Sequence, residues 1–151
     1  DALGRVLTQS VPTATTGDIQ RCIWGKALYN CALNPLATIL NVHYGMLLSG
    51  DASKRIMRAI VEEIFVLAGA LQQQLDWSTA AAYTRVLFDE LIPRTFNHHP
   101  SMLQDIHRGK KTEIDSLNGA MADLGKQRGI PMPCNWFMTQ LVKAKEQTCR
   151  A

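Results

Sequence analysis

The stretch from Met57 to Leu75 repeats its apolar residues at a single period. Met57, Ile60, Val61, Ile64, Phe65, Ala68, Leu71 and Leu75 recur every three or four positions, the spacing that lines one face of an α-helix. Lys54, Arg55, Arg58, Glu62 and Glu63 take the opposite face. No alternating apolar and polar run extends beyond a few residues, so the sequence predicts no strands. Apolar residues make up 46% of the 151 positions, enough for a substantial core in one domain, and that core must be built between helices. The expected fold is all-α, a multi-helix bundle of five or six helices, some of them kinked.

The remaining helices are bounded by local signals. Asp18 is the expected N-cap of the first long helix, whose inward residues would be Ile19, Ile23, Ala27, Leu28 and Cys31. Pro35 lies inside this pattern. It removes one helix hydrogen bond and crowds the carbonyl of Cys31, which predicts a kink or break. Leu36, Ile39, Leu40, Met46 and Leu47 carry the apolar pattern on toward Ser49-Gly50. Asp51 or Ser53 would cap the second helix. Ser78 or Thr79 would open a third through Ala82, Val86, Leu87 and Leu91, ended by Pro93. Ser101-Met-Leu-Gln104 fits a capping box for a short helix to about His107, followed by a turn at Arg108-Gly109. Thr112 with Asp115 would cap a helix along Ile114, Leu117, Met121 and Leu124, closing near Gly125 and Gly129. Asn135 would cap the last helix, with Phe137, Met138 and Leu141 inward and Lys143, Lys145 and Glu146 outward. Residues 1–17 read differently. Asp1 to Gln9 form a short amphipathic pattern, and Ser10 to Gly17 an extended linker. The helical domain is therefore expected over 18–151.

Within the first long helix, Lys26, Asn30 and Asn34 are four residues apart and form one stripe. Ala27, Leu28, Cys31, Ala32 and Leu33 around them are small or apolar. A lysine and two amides on such a helix are costly to bury unless something binds them. One reading makes the stripe a polar recognition surface with Lys26 as a proton donor. The other lets Lys26 reach solvent along its aliphatic stem while the asparagines bridge neighbouring elements. Ser101 and Glu113 each lie at an expected helix start, where hydroxyls and backbone N–H groups favour anions. Glu113 there is equally an ordinary dipole-complementing residue.

Charge and cysteine usage exclude several partners. The net charge is +3, and the densest basic cluster, Arg108-Gly-Lys110-Lys111, is too short for a nucleic-acid site. No apolar stretch is long enough to span a membrane. Cys22, Cys31, Cys134 and Cys149 form no CxxC pair, which suits reduced thiols in a cytoplasmic protein, with Cys22 and Cys31 packed on a helix. His98-His99 and His107 lack acidic or thiol partners at ligand spacing, so no metal is expected.

Several ordered motifs resemble the C-terminal helical domain of the ketopantoate reductase (2-dehydropantoate 2-reductase) family. They are Trp24-x-Lys26-x3-Asn30-x3-Asn34-Pro35-Leu36, then Ser101-Met-Leu-Gln-Asp-Ile, then Thr112-Glu-Ile-Asp-x2-Asn118-Gly119, with Gly129-Ile130 and Pro133-x-Asn135 closing the series. The resemblance runs from about Asp18 to the C-terminus. It implies a helical fold like the C-terminal domain of 6-phosphogluconate dehydrogenase, preceded in the family by a Rossmann domain whose GxGxxG loop binds NADPH. No GxGxxG occurs here, so residues 1–17 look like the tail of that missing domain, and the chain alone would be inactive.

By the same resemblance, Lys26 is the general acid for reduction of a 2-oxo acid, and Glu113 the acidic group near lysine and nicotinamide. Burial would lower the pKa of Lys26 and a nearby carboxylate raise it. Asn30 and Ser101 would bind substrate, and Asn34 with Pro35 would shape the floor of the site. Tyr44 and His98 stand at substrate-binding positions where the family often has asparagine. They would admit another branched or bulky 2-oxo acid in place of ketopantoate. A homodimer through the helical domain also fits the family. A reading from another class is a helical dimerisation or interaction module, with the apolar faces at 54–75 serving a partner.

Overall fold

Residues 19–149 are described in a computed structural model. The expected linker, the amphipathic pattern at Asp1 to Gln9 and the cap at Asp18 lie outside the described residues. The described chain is helical, without strands. Helix α1 spans Ile19–Leu40, and a 3-10 turn follows at Tyr44–Leu48. Helix α2 spans Asp51–Ala70. Helix α3 (Ala80–Val86) runs on through a π-turn at Leu87–Leu91 into a last turn at Ile92–Arg94. Helix α4 spans Ser101–His107, a second 3-10 turn Ile114–Ser116, α5 Asn118–Gln127 and α6 Pro133–Thr148.

Helix α1 is the axis of the bundle and packs against α2, α4 and α6. Every residue from Cys31 to Thr38 is therefore buried, the pattern of a helix enclosed on all sides. The helix passes through Pro35 to Leu40 unbroken, so of the kink or break that Pro35 predicts, the break does not occur. Packing on three sides outweighs one missing hydrogen bond and holds Pro35 inside the helix. The left-handed Asn41 (φ 56°) then follows the end of α1. Lys145 caps that end. Its ammonium donates to the carbonyls of Thr38 and Ile39 at 2.9 and 3.2 Å, placing a cation at the negative pole of α1. Lys145 thus points inward, against expectation. Ile19 and Ile23 are more than half exposed and Cys22 is exposed, because the enclosing helices bury the later turns of α1.

The apolar face of α2 is spent inside the domain. Met57, Ile60, Val61, Ile64 and Ala68 are buried, and Phe65, Leu71 and Leu75 pack against the same core. This face is not free to serve a partner, which removes the basis for the interaction-module reading. Gly50, not Asp51 or Ser53, is the N-cap of α2, and Asp51 sits in the first turn where its charge suits the dipole. Thr79 caps α3 as expected, accepting the Ala82 N–H at 3.1 Å.

Helix α6 departs most from its local signals. It begins at Pro133, and its exposed amides are capped from α2. Glu63 accepts the N–H groups of Cys134 at 2.7 Å and Asn135 at 3.0 Å, an anion at the positive helix pole. Asn135 is displaced from the cap into the first turn. Its amide donates to Glu63 at 2.7 Å, and its carbonyl accepts from buried Asn118 at 3.1 Å. Asn118 also donates to the carbonyl of Cys31 on α1, at 3.1 Å. This buried polar set ties α1, α2, α5 and α6 together. Met138 is buried as expected, but Phe137 is exposed beside exposed Trp136. Glu146, expected outside, is buried and accepts both the N–H and the hydroxyl of Thr112 at 2.7 and 2.6 Å. Asp115 pairs with Lys143 and Lys111, and their hydrogen bonds hold its carboxyl below the usual range.

Asn118→Ala removes two donated hydrogen bonds and leaves the Cys31 carbonyl and Asn135 oxygen buried without that donor. We expect a loss of about 2 kcal/mol in unfolding free energy, read from urea denaturation followed by circular dichroism. An unchanged midpoint would contradict the role of Asn118 in joining the helices.

Candidate functional site

The stripe on α1 opens into a cavity of about 450 Å³. Three separate segments close it. The first is α1 itself, presenting Lys26, Tyr29, Asn30 and Asn34. The second is the 3-10 turn with Tyr44, held against the 95–100 loop that carries Thr95 and His98. The third is the start of α4 with Ser101, beside Glu113 ahead of the second 3-10 turn. Seven of the residues singled out by sequence therefore share one cavity. Pro35 is buried in α1 directly after Asn34 and does not line it.

Backbone pairing sets the wall opposite α1. Tyr44 N–H donates to the carbonyl of His98 at 3.0 Å, and Gly45 N–H to that of Phe96 at 2.8 Å. The Phe96 ring lies over Gly45, where an added Cβ would collide with it, so this close packing suits glycine. The rings of Tyr44 and His98 are 5.1 Å apart, and Tyr29 meets Tyr44 edge to face at 5.9 Å. The Tyr29 phenol is engaged within the wall, and the Tyr44 phenol turns to the floor. Thr95 donates its hydroxyl hydrogen to the Leu91 carbonyl at 2.9 Å, so Tyr29 is the donor in the 2.7 Å bond between Tyr29 and Thr95. The Thr95 contact reaches into the π-turn of α3, where Ile92 N–H bonds the Leu87 carbonyl five residues back.

The polar floor is a second connected set. Tyr44 donates to Asn34 Oδ1 at 2.6 Å. Asn34 donates through Nδ2 to Glu113 Oε1 at 3.3 Å, and Ser101 Oγ donates to the same oxygen at 3.5 Å. Asn34 therefore bonds across the cavity and not to backbone freed beside Pro35. Ser101 is the first residue of α4, with Pro100 at the N-cap. The capping-box geometry is not formed, and the Ser101 hydroxyl is turned to Glu113. Burial, with Tyr29 and Glu113 adding to it, pushes the Tyr44 phenol well above its ordinary value, so it stays a neutral donor. Lys26 is exposed at the mouth of the cavity, not buried as expected. Among the described residues it has no hydrogen-bond or ion-pair partner. Glu113 Oε2 likewise carries no bond there. The site thus offers an unneutralised ammonium, a carboxylate with one free oxygen, and the amide of Asn30.

Sequence reasoning missed Tyr29, Thr95 and Gln104, which also line the cavity. Tyr29 lies three residues after Lys26 and Gln104 three after Ser101, so helical spacing from the chosen residues would have found both. No local signal marks Thr95. Among the described residues no cluster of histidine, cysteine and acidic groups could hold a metal ion, and no helix is long and apolar enough to cross a membrane.

Fold and site together define a helical domain that gathers a polar, anion-compatible cavity around one enclosed helix. The chain belongs to the ketopantoate reductase family, as its C-terminal domain. The family model described as ketopantoate reductase PanE/ApbA C terminal matches residues 18–146. The 2-dehydropantoate 2-reductase of Aquifex aeolicus is 41% identical over 95% of this chain, which covers 46% of that protein. The chain therefore spans about half the length of the curated relatives it matches. The crystal structure of a PanE/ApbA family ketopantoate reductase from Ralstonia eutropha superposes with TM-score 0.86 at 32% identity, over 99% of this chain and 49% of that one. A ternary structure of D-mandelate dehydrogenase with NADH and anilino(oxo)acetate gives 0.88 at 32%, over 99% and 48%.

Cys31 lies on α1 beneath this site. Burial, and secondarily the charge of Glu113, push its thiol up to about 12. Burial and Glu63 push Cys134 up to about 11. Only thiolate reacts with disulfide reagents, so at pH 8 both should stay protonated and slow. We expect exposed Cys22 and Cys149 to react first with Ellman's reagent. Fast reaction of Cys31 in the folded protein would contradict its enclosure.

Proposed function

We propose that this domain is the substrate-binding half of an NADPH-dependent 2-dehydropantoate 2-reductase, which reduces ketopantoate to pantoate. The observation that carries this reading is Lys26, an unpaired ammonium sharing one cavity with Asn30, Ser101 and Glu113. Such a cation suits a 2-oxo acid twice over. It attracts the carboxylate, and it stabilises negative charge developing on the ketone oxygen. Lys26 Nζ polarises that oxygen and then gives it a proton, acting as general acid. Asn30 and Ser101 orient the substrate by hydrogen bonds to its oxygens. Glu113 keeps Oε2 free for a cofactor N–H or a substrate hydroxyl.

NADPH, when bound, supplies the hydride. The residues present fit only its reactive end, through the free carboxylate oxygen and the open mouth beside Lys26. The chain has no GxGxxG, and its described residues form no strand. Holding the phosphates falls to a separate nucleotide-binding domain, and this domain by itself would not turn over. A cytoplasmic, reducing location belongs to the same reading, supported by four cysteines free of disulfides. So does a homodimer through the helical domain, for which exposed Trp136 and Phe137 offer apolar surface.

The aromatic wall favours a second reading, a reductase for another bulky 2-oxo acid. Tyr29, Tyr44 and His98 present rings to the cavity, and the D-mandelate dehydrogenase relative was solved with anilino(oxo)acetate and NADH. Reduction of a panel of 2-oxo acids, followed by NADPH oxidation with the domain joined to its nucleotide-binding half, separates the two. A preference for aryl-substituted acids selects the second. In either case Lys26→Ala should lower kcat by at least about 100-fold, with NADPH affinity by fluorescence titration nearly unchanged. Undiminished turnover would contradict the proton-donor role.

A further inference from the structure

We infer that Tyr44 and Asn34 form a directed hydrogen-bond relay that positions Glu113, and that the Tyr44 hydroxyl does not read the substrate. The inference rests on the reading above, in which Glu113 acts at the reacting centre.

The direction of the relay follows from its end groups. An ionised carboxylate only accepts hydrogen bonds. Asn34 must therefore turn its Nδ2 to Glu113, as the 3.3 Å contact has it. Its Oδ1 is then forced toward Tyr44. Two facing acceptors would repel, so Tyr44 must donate, which it does at 2.6 Å. A phenol has one hydrogen, and this bond uses it. The Tyr44 oxygen can offer the substrate a lone pair but no donor. The Tyr44 ring and Asn34 are both almost fully buried, at 3% and 4% exposure, whereas Glu113 is exposed. The relay thus runs from the buried core to an exposed carboxylate. Nothing else among the described residues fixes Glu113 except the long bond from Ser101 to the same oxygen. Both donors engage Oε1, which leaves Oε2 without a hydrogen-bond partner on a residue that lines the cavity. Preorganising a charged group in this way favours the transition state without touching the substrate. Tyr44 and Asn34 are positioning residues in this account.

The test is a double-mutant cycle in the enzyme that joins this domain to its nucleotide-binding half, using the best substrate of the 2-oxo acid panel. Tyr44→Phe keeps the ring and loses only the hydroxyl. It should lower kcat about tenfold and change KM less than about twofold. Glu113→Gln lowers kcat by itself, and adding Tyr44→Phe should then cost nothing further, because no carboxylate remains to be aimed. Glu113 is exposed, so this background folds. Asn34→Ala gives the same cycle from the middle of the relay. A second arm needs no turnover. Exchange of the Asn34 side-chain amide protons with water, followed by ¹⁵N NMR, should be at least tenfold faster in Tyr44→Phe. A Tyr44→Phe loss that appears in KM and adds fully to Glu113→Gln would overturn the relay and make Tyr44 a substrate contact. Unchanged kcat with unchanged exchange would overturn it as well. If the wild-type enzyme reduces no 2-oxo acid, the functional reading fails, and the exchange arm alone decides the relay.

Discussion

The structure depends on one helix being enclosed on every side while keeping a polar edge open. Residues Cys31 to Thr38 of α1 have no exposed face, and the helices around them are fixed by buried polar ties. Asn118, Asn135 and Glu63 link α1 to α2, α5 and α6, and Lys145 closes the negative end of α1. Each of these groups is buried or half-buried with a specific partner, and each partner would be costly to leave alone. With Cys31 to Thr38 packed in this way, α1 holds Asn34, and Asn30 and Lys26 one and two turns before it, in helical register along one cavity. Precision at the cavity is inherited from the core.

The cavity itself divides labour between two networks. Tyr29, Thr95 and the backbone of the 95–100 loop form a wall whose polar atoms are satisfied internally. Tyr44, Asn34, Ser101 and Glu113 form a floor whose bonds converge on one carboxylate oxygen. Among the described residues, the groups these networks leave unbonded at the cavity include the ammonium of Lys26, the amide of Asn30 and one oxygen of Glu113.

Much of this was legible in the sequence, for physical reasons that particular residues make clear. The periodicity of Met57 to Ala68 predicts a buried helix face because burial there is decided locally. The spacing of Lys26, Asn30 and Asn34 predicts a shared face for the same reason. Long-range partners were not legible. Glu63 and Lys145 carry charges that local pattern assigns to solvent, yet each caps the end of a helix distant in sequence, 70 or more positions away in either case. Pro35 predicts a kink or a break, and three-sided packing carries the helix through it without the break. Ile19, Ile23 and Phe137 fit inward-facing patterns but lie exposed, since periodicity identifies a face without saying what covers it. Ser101 reads as a capping box, while Pro100 takes the cap and releases the hydroxyl to Glu113.

The central claim is that the free end of the α1 stripe is where a 2-oxo acid is held and protonated. The most direct measurement is a crystal structure of the enzyme, with both domains, bound to ketopantoate or to the best substrate of the panel. The account predicts the ketone oxygen within about 3 Å of Lys26 Nζ, with Asn30 and Ser101 also bonded to the ligand and Tyr44 still donating to Asn34. A ligand bound elsewhere, or one whose carboxylate or ketone makes no contact with Lys26, would contradict it.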